Sequence, residues 1–225
     1  MTVWGMVGMM VDVGRPRMEF HEKDTKKHLL AEGVFRLIGE RIASGVLAPG
    51  TRIRDADLAG ELAVSRTPVR EALQRLERIG LVTMYPSRYT EVTALTPQAI
   101  EDAHAFAGYQ AGIIARLACP RLTETDLTAL STLIPAIAAA VDDPAACSQA
   151  RRDLIGYLSA RSGNTLQQSL VEEASMALAR ALNGFAITPE HRERLLGGCA
   201  DLENALRTGD ADAAERACRE IYGVS

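Results

Sequence analysis

The stretch from Ser65 to Gly80 leaves this chain few ways to fold. Ser65 is a favoured helix cap, and Pro68 falls in the first turn, where its missing N–H costs nothing. Val69, Ala72, Leu73 and Leu76 recur at helical spacing and make one apolar stripe, which Gly80 ends. A helix this short is marginal in water alone, so it must bury that stripe against other elements. Two helical patterns precede it. One starts near Lys26 and carries Leu30, Val34, Leu37, Ile38 and Ile42; the other spans Asp55–Leu62 with Leu58, Ala59 and Leu62 inward. Ser44-Gly45 and Pro49-Gly50 turn the chain between them, and Ala63, Val64 and Ser65 form the next turn. Two strand-like runs follow, Leu81–Tyr85 and Thr90–Thr93. They flank Pro86-Ser87-Arg88-Tyr89, which reads as a hairpin with a basic tip. Three short helices and a hairpin make a winged helix-turn-helix.

The face of the third helix opposite its stripe indicates what such a head would bind. Arg66 and Arg70, spaced i, i+4, project together near the helix N-terminus, with Thr67 beside them. The arginine fork matches guanine O6 and N7, and a helix N-terminus favours a phosphate. Candidate DNA contacts are therefore Ser65, Arg66, Thr67 and Arg70, with Arg54 before the second helix and Arg88 at the hairpin tip. The net charge of −4 argues against a nucleic-acid partner until the chain is divided. Lys26–Leu95 holds 11 Lys and Arg against 8 Asp and Glu, whereas Thr96–Ser225 holds 11 against 17. A basic front and an acidic rear fit a DNA reader joined to a different module.

Thr96-Pro97 can cap and start a helix and marks the expected domain boundary. Beyond it the chain reads as helix at roughly 97–118, 123–140, 147–161, 164–183, 188–207 and 210–222, punctuated at Gly163-Asn164, Asn183-Gly184 and Gly209-Asp210. The expected fold class is mostly α. It comprises a flexible extension over 1–25, a winged helix-turn-helix over 26–95, and an all-helical bundle over 96–225 for effector sensing and dimerisation. Cys119, Cys147, Cys199 and Cys218 show neither metal-ribbon nor disulfide spacing. Phosphate loops, nucleophile elbows and zincin motifs are absent, so no catalysis is expected. A lone Cys199 without a nearby base reads as packing. No apolar run reaches the ~20 residues of a membrane span, and a cytoplasmic location is expected.

The string Gly50-x-Arg52-Ile53, Leu58-Ala59, Val64 to Leu73 without a gap, Leu76 and Gly80-Leu81-Val82 closely resembles the winged helix-turn-helix of the GntR family. That resemblance implies a dimeric, repressor-type regulator on a short palindromic operator, with Arg66 and Arg70 in the family's DNA-contacting positions. The family usually places glycine after the position of Arg88, where this chain has Tyr89, so a differently shaped wing is expected. The rear half is similar to the FCD-type ligand-sensing domain of the FadR branch, through its helix order, Ser162-Gly163-Asn164 and Leu206-x-x-Gly209-Asp210. Most members of that branch hold a divalent metal with one Asp and three His. The corresponding positions here are Arg151, Ile155, Cys199 and Ile221, so no metal and no cofactor are expected. Positions 107 and 111, commonly Arg and Glu in that branch, are alanines. Three readings of the bundle stay open: a neutral or apolar effector with His104, Tyr109 and Tyr157 as polar contacts; an acidic effector paired with Arg151; or a cavity filled by Ile155, Ile221 and their neighbours. An alternative for the whole chain is a helical protein-interaction module with a vestigial or constitutive DNA-binding head.

Overall fold

The computed structural model describes residues 22–224 except 87 and 184, with the backbone alone for 22–28. The expected extension over 1–25 lies outside the described residues as far as residue 21. Helix α1 (Glu22–Ala43) begins before the expected Lys26. After it come β1 (Arg52–Ile53), α2 (Asp55–Glu61), α3 (Arg66–Arg78), β2 (Val82–Tyr85) and β3 (Tyr89–Val92). The bundle comprises α4 (Pro97–Ala118), α5 (Glu124–Ala139), α6 (Pro144–Ser159), α7 (Thr165–Asn183), α8 (Pro189–Thr208) and α9 (Ala211–Ile221), with a 3₁₀ turn at Cys119–Arg121.

In the head, Val69, Ala72, Leu73 and Leu76 of α3 are buried with Val34, Ile38 and Ile42 of α1 and Leu58 and Ala59 of α2. The inward face of α1 differs from the expected one. Phe35 and Ala31 are buried, whereas Leu30 is exposed and Leu37 only half-buried. Arg75 on α3 accounts for Phe35: its guanidinium lies 4.0 Å from the centre of that ring and pairs with Glu32 at 2.6 Å, turning this side of α1 toward α3. Leu62 is likewise half-buried. The strands form one antiparallel sheet of order β1-β3-β2, with Arg52 opposite Glu91 and Tyr85 opposite Tyr89.

Helix α4 starts where the sequence suggests a helix. The Thr96 side chain accepts from the Ala99 N–H, and Pro97 occupies the first turn. Thr123 and Asp126 form a reciprocal capping box on α5. Asp143 caps α6, which therefore begins three residues before the expected position 147. Gly209 closes α8 in the left-handed region at φ 74°. A single apolar core runs through the bundle, including Ala111, Ile114, Leu130, Ile134, Leu154, Leu158, Leu195 and Leu202. The head and bundle meet along α7. Arg180 donates to the carbonyl of Thr93 just after β3, and the Met176 sulfur occupies the space that a side chain at Gly39 of α1 would fill.

Candidate functional site

The N-terminus of α3 lies exposed at the mouth of a groove between the helix-turn-helix and the wing. Ser65 has the extended backbone of an N-cap, but its side chain makes no capping bond. It, Arg66, Thr67 and Arg70 all face solvent. The groove gathers Arg54, Arg66, Arg70 and Arg88 around Asp55, with Gln74, Tyr85 and Tyr89 along its walls. Four of the six expected DNA contacts therefore share one concavity, and Ser65 and Thr67 stand beside it on the first turn of α3.

Asp55 organises this surface. Its two oxygens each accept from Arg66 at 2.9 Å, and one lies 3.1 Å from Arg70 Nε. The Arg66 hydrogen bond holds the Asp55 carboxyl below its ordinary range, and the charges of Arg66 and Arg70 add to the effect. Sequence reasoning missed this residue, although an acid opening α2 just before the turn was a visible signal. Tyr89 takes the place expected for glycine without adopting positive φ. It pairs across the hairpin with Tyr85, ring centres 4.7 Å apart, and Arg52 of β1 lies 4.1 Å from its ring centre. The strands of the wing are thus joined next to their turn by a tilted tyrosine pair, with the Arg52 guanidinium over one of its rings.

In the bundle, α4, α6 and α7 line a half-open cavity of about 340 Å³, walled mainly by Ala107, Ala111, Ile114, Ile155, Leu178 and Tyr222, with Gln110, Arg152 and Glu172 among its polar groups. The two alanines at positions 107 and 111 are what make this wall apolar. The residues expected at an effector pocket divide among four places. His104, Arg151, Cys199 and Ile221 are all buried in the bundle core, and Ile155 lines the cavity. Tyr109 is 47% exposed on α4, with the Arg219 guanidinium 5.1 Å from its ring. Tyr157 belongs to a separate polar knot. It donates to Asp126 at 2.9 Å beneath the Arg161 guanidinium, which also binds Asp126. The Thr123 backbone and hydroxyl hold the Asp126 carboxyl far below its usual range, assisted by Arg161 and Tyr157.

The positions that hold a metal in the resembling domains offer a guanidinium, two aliphatic side chains and one thiol. Burial pushes the Cys199 thiol up to about 12, so it carries no charge at neutral pH. Burial does the same to Cys218, again to about 12. This donor set does not fit a divalent cation. Among the described residues no helix is long and apolar enough to cross a membrane.

A winged helix-turn-helix with arginines presented at its recognition helix, followed by a helical bundle with a largely apolar cavity, defines a two-domain DNA-binding regulator. Comparison with known proteins gives the family. Residues 30–92 match the model of the bacterial regulatory proteins of the gntR family, and residues 112–223 match the FCD domain. An HTH-type transcriptional regulator from the TAR-I ttuE-ttuC' intergenic region of Agrobacterium vitis is 31% identical over 130 residues, covering 56% of this chain and 71% of that protein. The Nta operon transcriptional regulator of Aminobacter aminovorans is 35% identical over 82 residues, 36% of this chain and 39% of that protein. Escherichia coli McbR/YncC shares the fold, with a TM-score of 0.67 and 24% identity over 86% of this chain and 93% of that one. The chain belongs to the GntR family: it is a DNA-binding transcriptional regulator with an FCD domain behind its head.

Proposed function

We propose that the chain is a ligand-controlled repressor that binds a short palindromic operator as a homodimer in the cytoplasm and has no catalytic activity of its own. The observation that carries this reading is the groove in which Arg54, Arg66, Arg70 and Arg88 converge beside the exposed start of α3. Arg66 and Arg70 are the base- or phosphate-reading pair, Thr67 and Ser65 flank them, and Arg54 and Arg88 contact backbone on either side. Dimerisation is supported by Phe106, Tyr109 and Ile113, large apolar side chains exposed on one side of α4, which a second copy would cover. Ligand control is supported by α7, which both walls the cavity and carries the contacts to the head. A ligand that moves α7 respaces the two heads.

Fluorescence anisotropy on DNA from the region upstream of the chain's own gene tests the proposal. Selective binding is expected to weaken steeply with salt. Arg66→Ala and Arg70→Ala should each lose about 1–3 kcal/mol of discrimination between operator and scrambled DNA. Absence of selective binding by the wild type would shift the reading to an interaction module with a vestigial head.

A further inference from the structure

Helix α3 carries a third polar side chain in line with Arg66 and Arg70, at the next i+4 step. Val69, Ala72, Leu73 and Leu76 are buried and fix the inward direction of the helix. At about 100° per residue, Arg66 projects about 70° from the middle of that stripe, Arg70 about 110° and Gln74 about 150°. Of the three, Gln74 points most directly away from the core. It is exposed and lines the same groove as the two arginines. It has no hydrogen-bond partner among the described residues.

The polar side chains around it are engaged elsewhere. Glu77 accepts from the Met84 N–H at 2.9 Å and so braces the wing strand β2 against α3. Arg75 pairs with Glu32 of α1, and Arg66 and Arg70 share Asp55. Arg78, one turn further along, borders the bundle at Phe106 and Leu166. Gln74 is thus the last side chain of the row that faces outward within the groove, and nothing in the head occupies its amide.

The chemistry of a carboxamide narrows what it can recognise. It sets an N–H donor beside a carbonyl acceptor. Adenine presents the complementary pair in the DNA major groove, N7 as acceptor and the N6 amino group as donor. Guanine offers two acceptors there, cytosine a donor alone and thymine an acceptor alone. From Arg66 to Gln74 is about 12 Å of helix, the span of about three to four base steps. We propose that Gln74 is a specificity-determining residue that reads one adenine in each operator half-site. Its amide N–H donates to N7, and its carbonyl accepts from the N6 amino group. This inference rests on the reading of α3 as the DNA-facing helix, and it names a base which the outward face of that helix selects.

Selection from a random-sequence duplex pool tests it, using the full-length wild type, Gln74→Ala, Gln74→Glu and Arg70→Ala. The wild type should enrich a site in which one A·T pair per half-site loses its preference with Gln74→Ala while the other positions keep theirs. Gln74→Glu retains the shape of the side chain but accepts at both oxygens, so it should move that position to C·G through the cytosine N4 amino group. Anisotropy on the selected site should show Gln74→Ala binding about five- to 150-fold more weakly than the wild type. Replacing that adenine with 7-deazaadenine, which lacks the N7 acceptor, should weaken the wild type and add nothing to the loss in Gln74→Ala. Selection of the wild-type site by both Gln74 variants, or an equal loss of preference at every position, overturns the assignment. So does a 7-deazaadenine penalty that persists in Gln74→Ala. Arg70→Ala separates the two readings. A site altered by Arg70→Ala but by neither Gln74 variant removes Gln74 alone, whereas a site altered by none of the three removes α3 as the reading helix and Gln74 with it.

Discussion

Two side chains in the head hold more than their positions in the sequence suggest. Ala63, in the turn between α2 and α3, has φ 51°, and among the described residues it is the one non-glycine in the left-handed region. A Cβ is strained there, while glycine adds disorder to the unfolded chain. The first effect is the larger, so Ala63→Gly should stabilise the protein by about 0.5–1 kcal/mol, read as a rise in melting temperature of about 2–4 °C per kcal/mol. Asp55 acts on function instead. By engaging Arg66 and Arg70 it orients both forks and partly neutralises them. Asp55→Asn should therefore tighten binding to scrambled DNA and narrow the ratio between operator and scrambled affinities, both measurable by anisotropy across a salt series. Arg66 and Arg70 were legible from their i, i+4 spacing within a cap-and-stripe pattern. Their acid partner was not, because eleven residues and a turn separate Asp55 from Arg66 and no local period links them.

Among the elements, the bundle makes its sharpest demand where α8 crosses α9. Gly197 and Gly198 are neighbours on α8 with opposite surroundings. A Cβ at Gly198 would lie 2.9 Å from the Ala217 carbonyl oxygen and 2.9 Å from the Ile221 nitrogen, backbone atoms that cannot swing aside, whereas Gly197 has nothing within 4 Å. Gly198→Ala should cost about 1–3 kcal/mol through overpacking. Gly197→Ala should instead contribute about 0.5–1 kcal/mol through helix propensity, and chemical denaturation of the two variants side by side would show the opposite signs. The same contrast explains which elements could be read in advance. Helix α3 declared itself through a cap, an early proline and a four-residue stripe. β1, only two residues long, has too little alternation to see and exists because β3 pairs with it. The early start of α6 was written in Asp143-Pro144 but hidden by the weaker periodicity that follows. That Arg151 is buried could not be read at all, since burial follows from how α4, α6, α8 and α9 pack and not from its neighbours in the chain.

For the whole molecule, the buried imidazoles set the response to acid. His104 is pushed down to about 3 by burial, by Arg151 and by His191, against an ordinary value of 6.5, and His191 is lowered for similar reasons. Between about pH 6.5 and 3 the unfolded chain takes up a proton at position 104 that the folded chain refuses, so stability falls as the pH falls. One such group contributes a slope of about 1.4 kcal/mol per pH unit, and above pH 6.5 its effect is flat. Below about 3.8 the protonation of Asp126, whose carboxyl is also held low when folded, acts in the same direction. His104→Phe keeps a ring against Phe185 and should flatten the decline of melting temperature between pH 6 and 4. The head adds a constraint of another kind. Its sheet places β3 in the middle and leaves as edges a strand of two residues and one of four. Edges this short offer little backbone for a foreign strand to join. Neighbouring heads crowded on one stretch of DNA are therefore poorly equipped to zip together into a filament, so occupancy of adjacent operators can rise without nucleating aggregation.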